Sequence, residues 1–64
     1  MKVYSAYGKL IIENLHINDK ISIYNESGIL IKKFSAIREK EEIKLPAHQI
    51  YMIKGNGKAI KVIL

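Results

Sequence analysis

The chain has 64 residues, a formal charge of +5 from eleven Lys/Arg against six Asp/Glu, 48% hydrophobic residues and no cysteine. That size allows one domain, residues 1–64, with a stability of roughly 3–5 kcal/mol and no disulfide to support it. The apolar content is too high for a disordered chain, and no apolar run approaches the ~18 residues needed to span a membrane as a helix.

Apolar positions recur with a period of two, which predicts strands buried mainly on one face. Val3-Tyr4-Ser5 is a candidate short first strand. Lys9–Glu13 sets Leu10 and Ile12 against Lys9 and Glu13, and Lys20–Tyr24 sets Ile21 and Ile23 against Lys20 and Ser22. Between them His16-Ile17-Asn18-Asp19 reads as a turn. Asn25-Glu26-Ser27-Gly28 reads as a hairpin loop, with Gly28 suited to a left-handed position. Ile29–Phe34 is a strand by β-branching, but its inward face is ambiguous. Ser35–Glu42 holds helix formers around only two apolar residues, Ala36 and Ile37, and reads as a solvated connection with at most one helical turn.

Glu42–Leu45 alternates again, with Ile43 and Leu45 on one face. Tyr51 and Ile53 share a face of the next run, and Ile60, Val62 and Leu64 share a face of the last, with Lys61 and Ile63 opposite. Asn56-Gly57 joins these two runs and is the strongest hairpin signal present, because a type I′ turn needs positive φ at both positions. The pattern predicts an all-β sandwich or barrel of six or seven short antiparallel strands.

No residues have the spacing of a catalytic or metal site. His16 and His48 are separated, lack cysteine neighbours and fall in loops, so neither a zinc site nor a nucleophile–base pair is indicated, and neither enzyme activity nor a cofactor is expected. Gly55-Asn56-Gly57-Lys58 has the wrong glycine spacing for a phosphate-binding loop and precedes a strand rather than a helix. A basic β-domain could bind single-stranded nucleic acid, but Tyr4, Tyr7, Tyr24, Phe34 and Tyr51 are scattered rather than interleaved with basic residues. An accessory domain that packs on its parent protein or self-associates through an edge strand is a further alternative.

Read in order, Gly8–Leu15, Ile21–Asn25, Ser27–Leu30, Ile43–Pro46, Ile50–Ile53 and Asn56–Val62 resemble the C-terminal sorting domain of type IX secretion (Por system) cargo proteins in Bacteroidetes. The resemblance spans about residues 8–64. It implies an immunoglobulin-like antiparallel β-sandwich that is a non-catalytic module, the C-terminal domain of a larger protein, recognised by secretion-machinery proteins in the periplasm for release or display at the cell surface. It carries recognition to Leu45, Pro46, Tyr51, Gly57, Lys61, Val62 and Leu64, with the secretion machinery and a parent cargo protein as partners. Tyr51 and Val62 are expected in the core and Lys61 on the outside. Where the family pattern has a glycine after Leu-Pro-x, this chain has His48-Gln49, one residue longer, which implies either a bulge or a longer turn.

Overall fold

The alternating runs form seven strands: β1 (Lys2–Ala6), β2 (Lys9–Glu13), β3 (Lys20–Asn25), β4 (Leu30–Ser35), β5 (Glu41–Lys44), β6 (Ile50–Gly55) and β7 (Lys58–Ile63). They come from a computed structural model that describes residues 1–64. Every pairing is antiparallel. One sheet has the order β1–β2–β5 and the other β4–β3–β6–β7. The chain crosses between sheets after β2, β4 and β5, giving the seven-stranded sandwich expected. Unlike the constant-type immunoglobulin arrangement, the fourth strand stays beside the third instead of joining the opposite sheet.

Alternation supplies the core. Leu10, Ile12 and Ile43 from the three-stranded sheet meet Ile21, Ile23, Tyr51 and Ile53 from the other, with Leu15 and Ala36 at one end. Each of these is buried, and Met1, Val3, Phe34, Leu45, Val62 and Leu64 cover the margins. One flank is closed where β1 runs beside β7. The flank between β4 and β5 is an open groove of about 570 Å³, with Ile31, Phe34, Ile37, Ile43 and Leu45 among its walls.

Three tight connections set the registers. Asn56 (φ +50°) and Gly57 (φ +71°) form the expected two-residue turn between Gly55 and Lys58. A second such turn, not anticipated from the sequence, joins Ala6 to Lys9 through Tyr7 (φ +55°) and Gly8 (φ +71°). Its Tyr7 side chain is completely exposed. In the β3–β4 hairpin the Asn25 side-chain oxygen accepts from the Ser27 and Ile29 amides, both at 3.0 Å, and Gly28 takes φ +82° as expected.

A bulge explains the ambiguous face of β4. Ile23 pairs with Lys32 but Tyr24 pairs with Leu30, leaving Ile31 as the extra residue. Alternation is broken there, and along this edge strand only Phe34 is half-buried. In β2, by contrast, both faces are covered. Ile11 points away from the core yet is 4% exposed, flanked by Tyr4 and Glu42 on the neighbouring strands. Tyr4 donates to Glu13 at 3.0 Å, which spreads a polar network over that isoleucine.

No helical turn forms between Ser35 and Glu41. This connection is solvated as expected except at Ala36, which is fully buried. The Ala36 amide donates to the Asp19 carbonyl and its carbonyl accepts from the Asn18 amide, both at 2.8 Å. The Leu15 amide reaches the Glu39 carbonyl at 3.0 Å, so the two crossovers at this end are stitched together.

Candidate functional site

The residues singled out by the resemblance fall into three places. Leu45, Pro46, Tyr51, Val62 and Leu64 gather at one end of the sandwich. Gly57 lies at the tip of the β6–β7 hairpin, at the opposite end. Lys61 stands exposed on the outer face of the four-stranded sheet. The seven therefore do not form one contiguous surface.

The first group is built around Tyr51. Its position beside Ile53's face of β6 turns the ring inward, where it is 1% exposed. Its hydroxyl donates to the Pro46 carbonyl at 2.7 Å, closing the corner between β5 and β6. A tyrosine near the start of this strand, bonded to backbone a few residues upstream, is the tyrosine corner of immunoglobulin-like sandwiches. Val62 lies directly across from Tyr51 and is half-buried rather than enclosed, as are Leu45 and Leu64. These four residues are chiefly architectural. Pro46 is exposed, with its carbonyl committed to Tyr51.

The same corner resolves the role of His48-Gln49. The His48 amide donates to the Leu64 carbonyl at 2.8 Å, and the Leu64 amide donates to the Gln49 carbonyl at 3.0 Å. Two residues thus oppose one, and the first has φ +61°. This is a bulge of the type whose first position usually holds glycine in a left-handed conformation. Of the two expectations, the bulge is found, and a histidine occupies the glycine position.

At the other end, Asp19 joins the β2–β3 connection to the β6–β7 turn, a role the sequence reading missed. Its Oδ2 accepts from the His16 amide at 2.8 Å and from Asn56 Nδ2 at 3.2 Å. The His16 amide, then the Asn56 amide group and the nearby His16 ring, hold the carboxyl below its ordinary pKa. Tyr4 is shifted upward, first because its hydroxyl donates to Glu13, then through partial desolvation and the charges of Glu13 and Glu42.

Lys61 has a more distinctive neighbourhood. Register places Leu30, Tyr24, Met52 and Lys61 in one row across the four strands. Ile50 and Ile63 form the adjacent pair, and Lys33, Ser22, Lys54 and Ala59 form the row on the other side. Lys54 Nζ lies 5.1 Å from the Tyr24 ring centre. A recess of about 200 Å³ opens beside Met52 and Lys61, with Glu26 at its margin. Ile63 is 66% exposed, and Leu30 is also exposed. An apolar stripe bordered by lysines thus covers this outer face. Apart from Lys61, none of its members was singled out from the sequence.

The geometry brings no group of three or more His, Cys, Asp or Glu side chains together for a metal ion. The two histidines remain apart: His16 faces Asp19, with Nδ1 3.7 Å from Oδ2, and His48 occupies the bulge at the other end. No helix is long and apolar enough to cross a membrane.

Among curated proteins, the chain is similar to Beta-agarase A from Zobellia galactanivorans, with 36% identity over 55 residues. The match covers 83% of this chain but 10% of the agarase, so the chain corresponds to a minor part of that enzyme. No protein-family model matches the chain, and no solved structure matches it.

Proposed function

We propose that the chain is a non-catalytic recognition module that directs an attached protein through the type IX secretion system to the cell surface or the medium. The observation that carries this reading is the match of most of the chain to one tenth of a Bacteroidetes agarase, combined with the self-contained sandwich that the chain forms. An agarase acts on a polymer too large to enter a cell, so a module shared with such an enzyme suits a protein that must leave it. The order of strand motifs, from Gly8–Leu15 to Asn56–Val62, supports sorting over a merely structural attachment.

The roles divide by place. Tyr51, Pro46, Leu45, Val62 and Leu64 shape and stabilise the β5–β6 corner and the last strand. Gly57 permits the last turn, and Lys61 presents charge outward. The secretion machinery is the partner, and the parent cargo is the passenger. The test is fusion of the chain to an exported reporter in a Bacteroidetes host with type IX machinery. Surface or medium delivery that disappears in a machinery-deficient strain is expected. Equal delivery in both strains would reject the sorting role.

A further inference from the structure

The four strands of the larger sheet contain Lys20, Lys32, Lys33, Lys54, Lys58 and Lys61 but no aspartate or glutamate. The smaller sheet balances Lys2, Lys9 and Lys44 against Glu13, Glu41 and Glu42. The domain's positive charge is therefore carried by one side of the sandwich. On the outer face of that side, Lys33, Lys54 and Lys61 border Leu30, Tyr24, Met52, Ile50 and Ile63. The only acidic side chain lining the recess beside Met52 and Lys61 is Glu26.

We propose that this outer face is the docking surface for an acidic protein partner with an apolar centre. The inference rests on the recognition-module reading and names the surface through which it works. Charge selects the occupant. A second copy laid face to face would oppose lysine to lysine, which disfavours self-association here. A neutral apolar partner would have to strip water from the lysines without compensation. An acidic partner neutralises them while covering exposed Ile63 and Leu30, giving the apolar centre and charged rim of a protein interface.

Nucleic acid fits less well. The face's cations are all lysines, which lack the planar fork of arginine. Its aromatic ring, Tyr24, already has Lys54 at 5.1 Å, and the remaining apolar members are aliphatic or Met. These side chains offer no continuous platform for stacked bases.

Two measurements test the surface. In the first, the reporter fusion carries Lys54→Glu with Lys61→Glu, or as a control Lys9→Glu with Lys44→Glu on the opposite sheet. Thermal melts verify that both variants fold. The first pair is expected to reduce delivery about tenfold or more, and the second to leave it near the wild-type level. Equal losses from both pairs, or no loss from the first, would overturn the proposal.

The second is independent of secretion. Labelled chain is titrated with an acidic helical peptide bearing leucines on one side, while amide chemical shifts are followed by NMR. Shifts centred on Tyr24, Met52, Lys54, Lys61 and Ile63, weakened by salt and by the Lys54/Lys61 reversals, are expected. Equal shifts around Lys9 and Lys44 would overturn the proposed face, as would tighter binding of oligothymidylate at the same salt. If the unmodified fusion is not delivered, the secretion reading fails, and this titration alone decides the face.

Discussion

Replacing His48 with glycine should stabilise the domain. His48 is held at φ +61° by a backbone pair, its amide on the Leu64 carbonyl and the Leu64 amide on the Gln49 carbonyl. Its exposed side chain takes part in no hydrogen bond or ion pair, so truncation removes no such interaction. An L-residue in this region costs about 1–2 kcal/mol, with histidine among the better tolerated types. Glycine removes that cost but adds about 0.5–1 kcal/mol of unfolded-state entropy. The difference is a gain of about 0.5–1 kcal/mol, equivalent to a Tm increase of roughly 2–8 °C in a domain this small. Thermal and urea unfolding followed by far-UV circular dichroism measure it. His48→Val supplies the opposite sign, because β-branching makes positive φ more costly. A lower Tm for His48→Gly, or equal melts for the glycine and valine variants, would refute the reasoning.

Other substitutions probe separate links. Tyr51→Phe should cost about 1 kcal/mol by removing the hydroxyl's bond to Pro46, whereas Tyr51→Ala should cost about 3–5 kcal/mol; similar melts for Phe and wild type would deny the corner its role. Gly55→Val should destabilise by about 1–3 kcal/mol, since even a Cβ at this site would lie 2.6 Å from Ile21 Cδ1 and 3.2 Å from Met1 Sδ. Val62→Ala should lower stability by about 1–2 kcal/mol while Lys61→Ala leaves it nearly unchanged, which parallel urea titrations would check. Asp19 has a lowered folded-state pKa, so its contribution is present above the unfolded value and is lost as pH falls through the folded one. Acid titration should therefore show a loss below about pH 4 that is reduced in Asp19→Asn.

Much of the fold is legible because one face of most strands is dry. Alternation around Ile21/Ile23 and Tyr51/Ile53 fixes which residues enter the core, and Asn56-Gly57 fixes the last register. The sequence signal weakens where local geometry interrupts that period. Ile31 is an extra residue in β4, so no consistent inward set exists. Tyr7 adopts a turn conformation that a tyrosine does not advertise, and Ala36 is a single buried methyl amid charged residues. Gly55 looks like part of a glycine-rich turn but is the last residue of β6, where Ile21 and Met1 leave little room for a side chain.

The candidate site was less legible for a different reason. Lys61 can be recognised as outward from β7 alone, because Val62 faces the core beside it. Its neighbours Tyr24 and Met52 depend on the β3–β6 and β6–β7 registers, which bring together residues distant in sequence. The residues that the resemblance singles out between Leu45 and Leu64, by contrast, mix those that make the corner with one that presents charge. Losses at Tyr51 or Val62 would therefore impair any binding function through folding, without identifying a contact.

The proposed docking face on the larger sheet would exploit this separation. Its inward residues form a continuous core, while its outward register carries Lys20, Lys33, Lys54, Lys61 and an apolar stripe without requiring those groups to pack internally. Lys61 can change without opening a cavity, but Val62 on the same strand cannot. The alternation that builds a stable sandwich therefore also lets its outer surface acquire a partner preference. In a 64-residue domain with a small stability margin, the proposed docking on that outer register would limit the conflict between binding and folding.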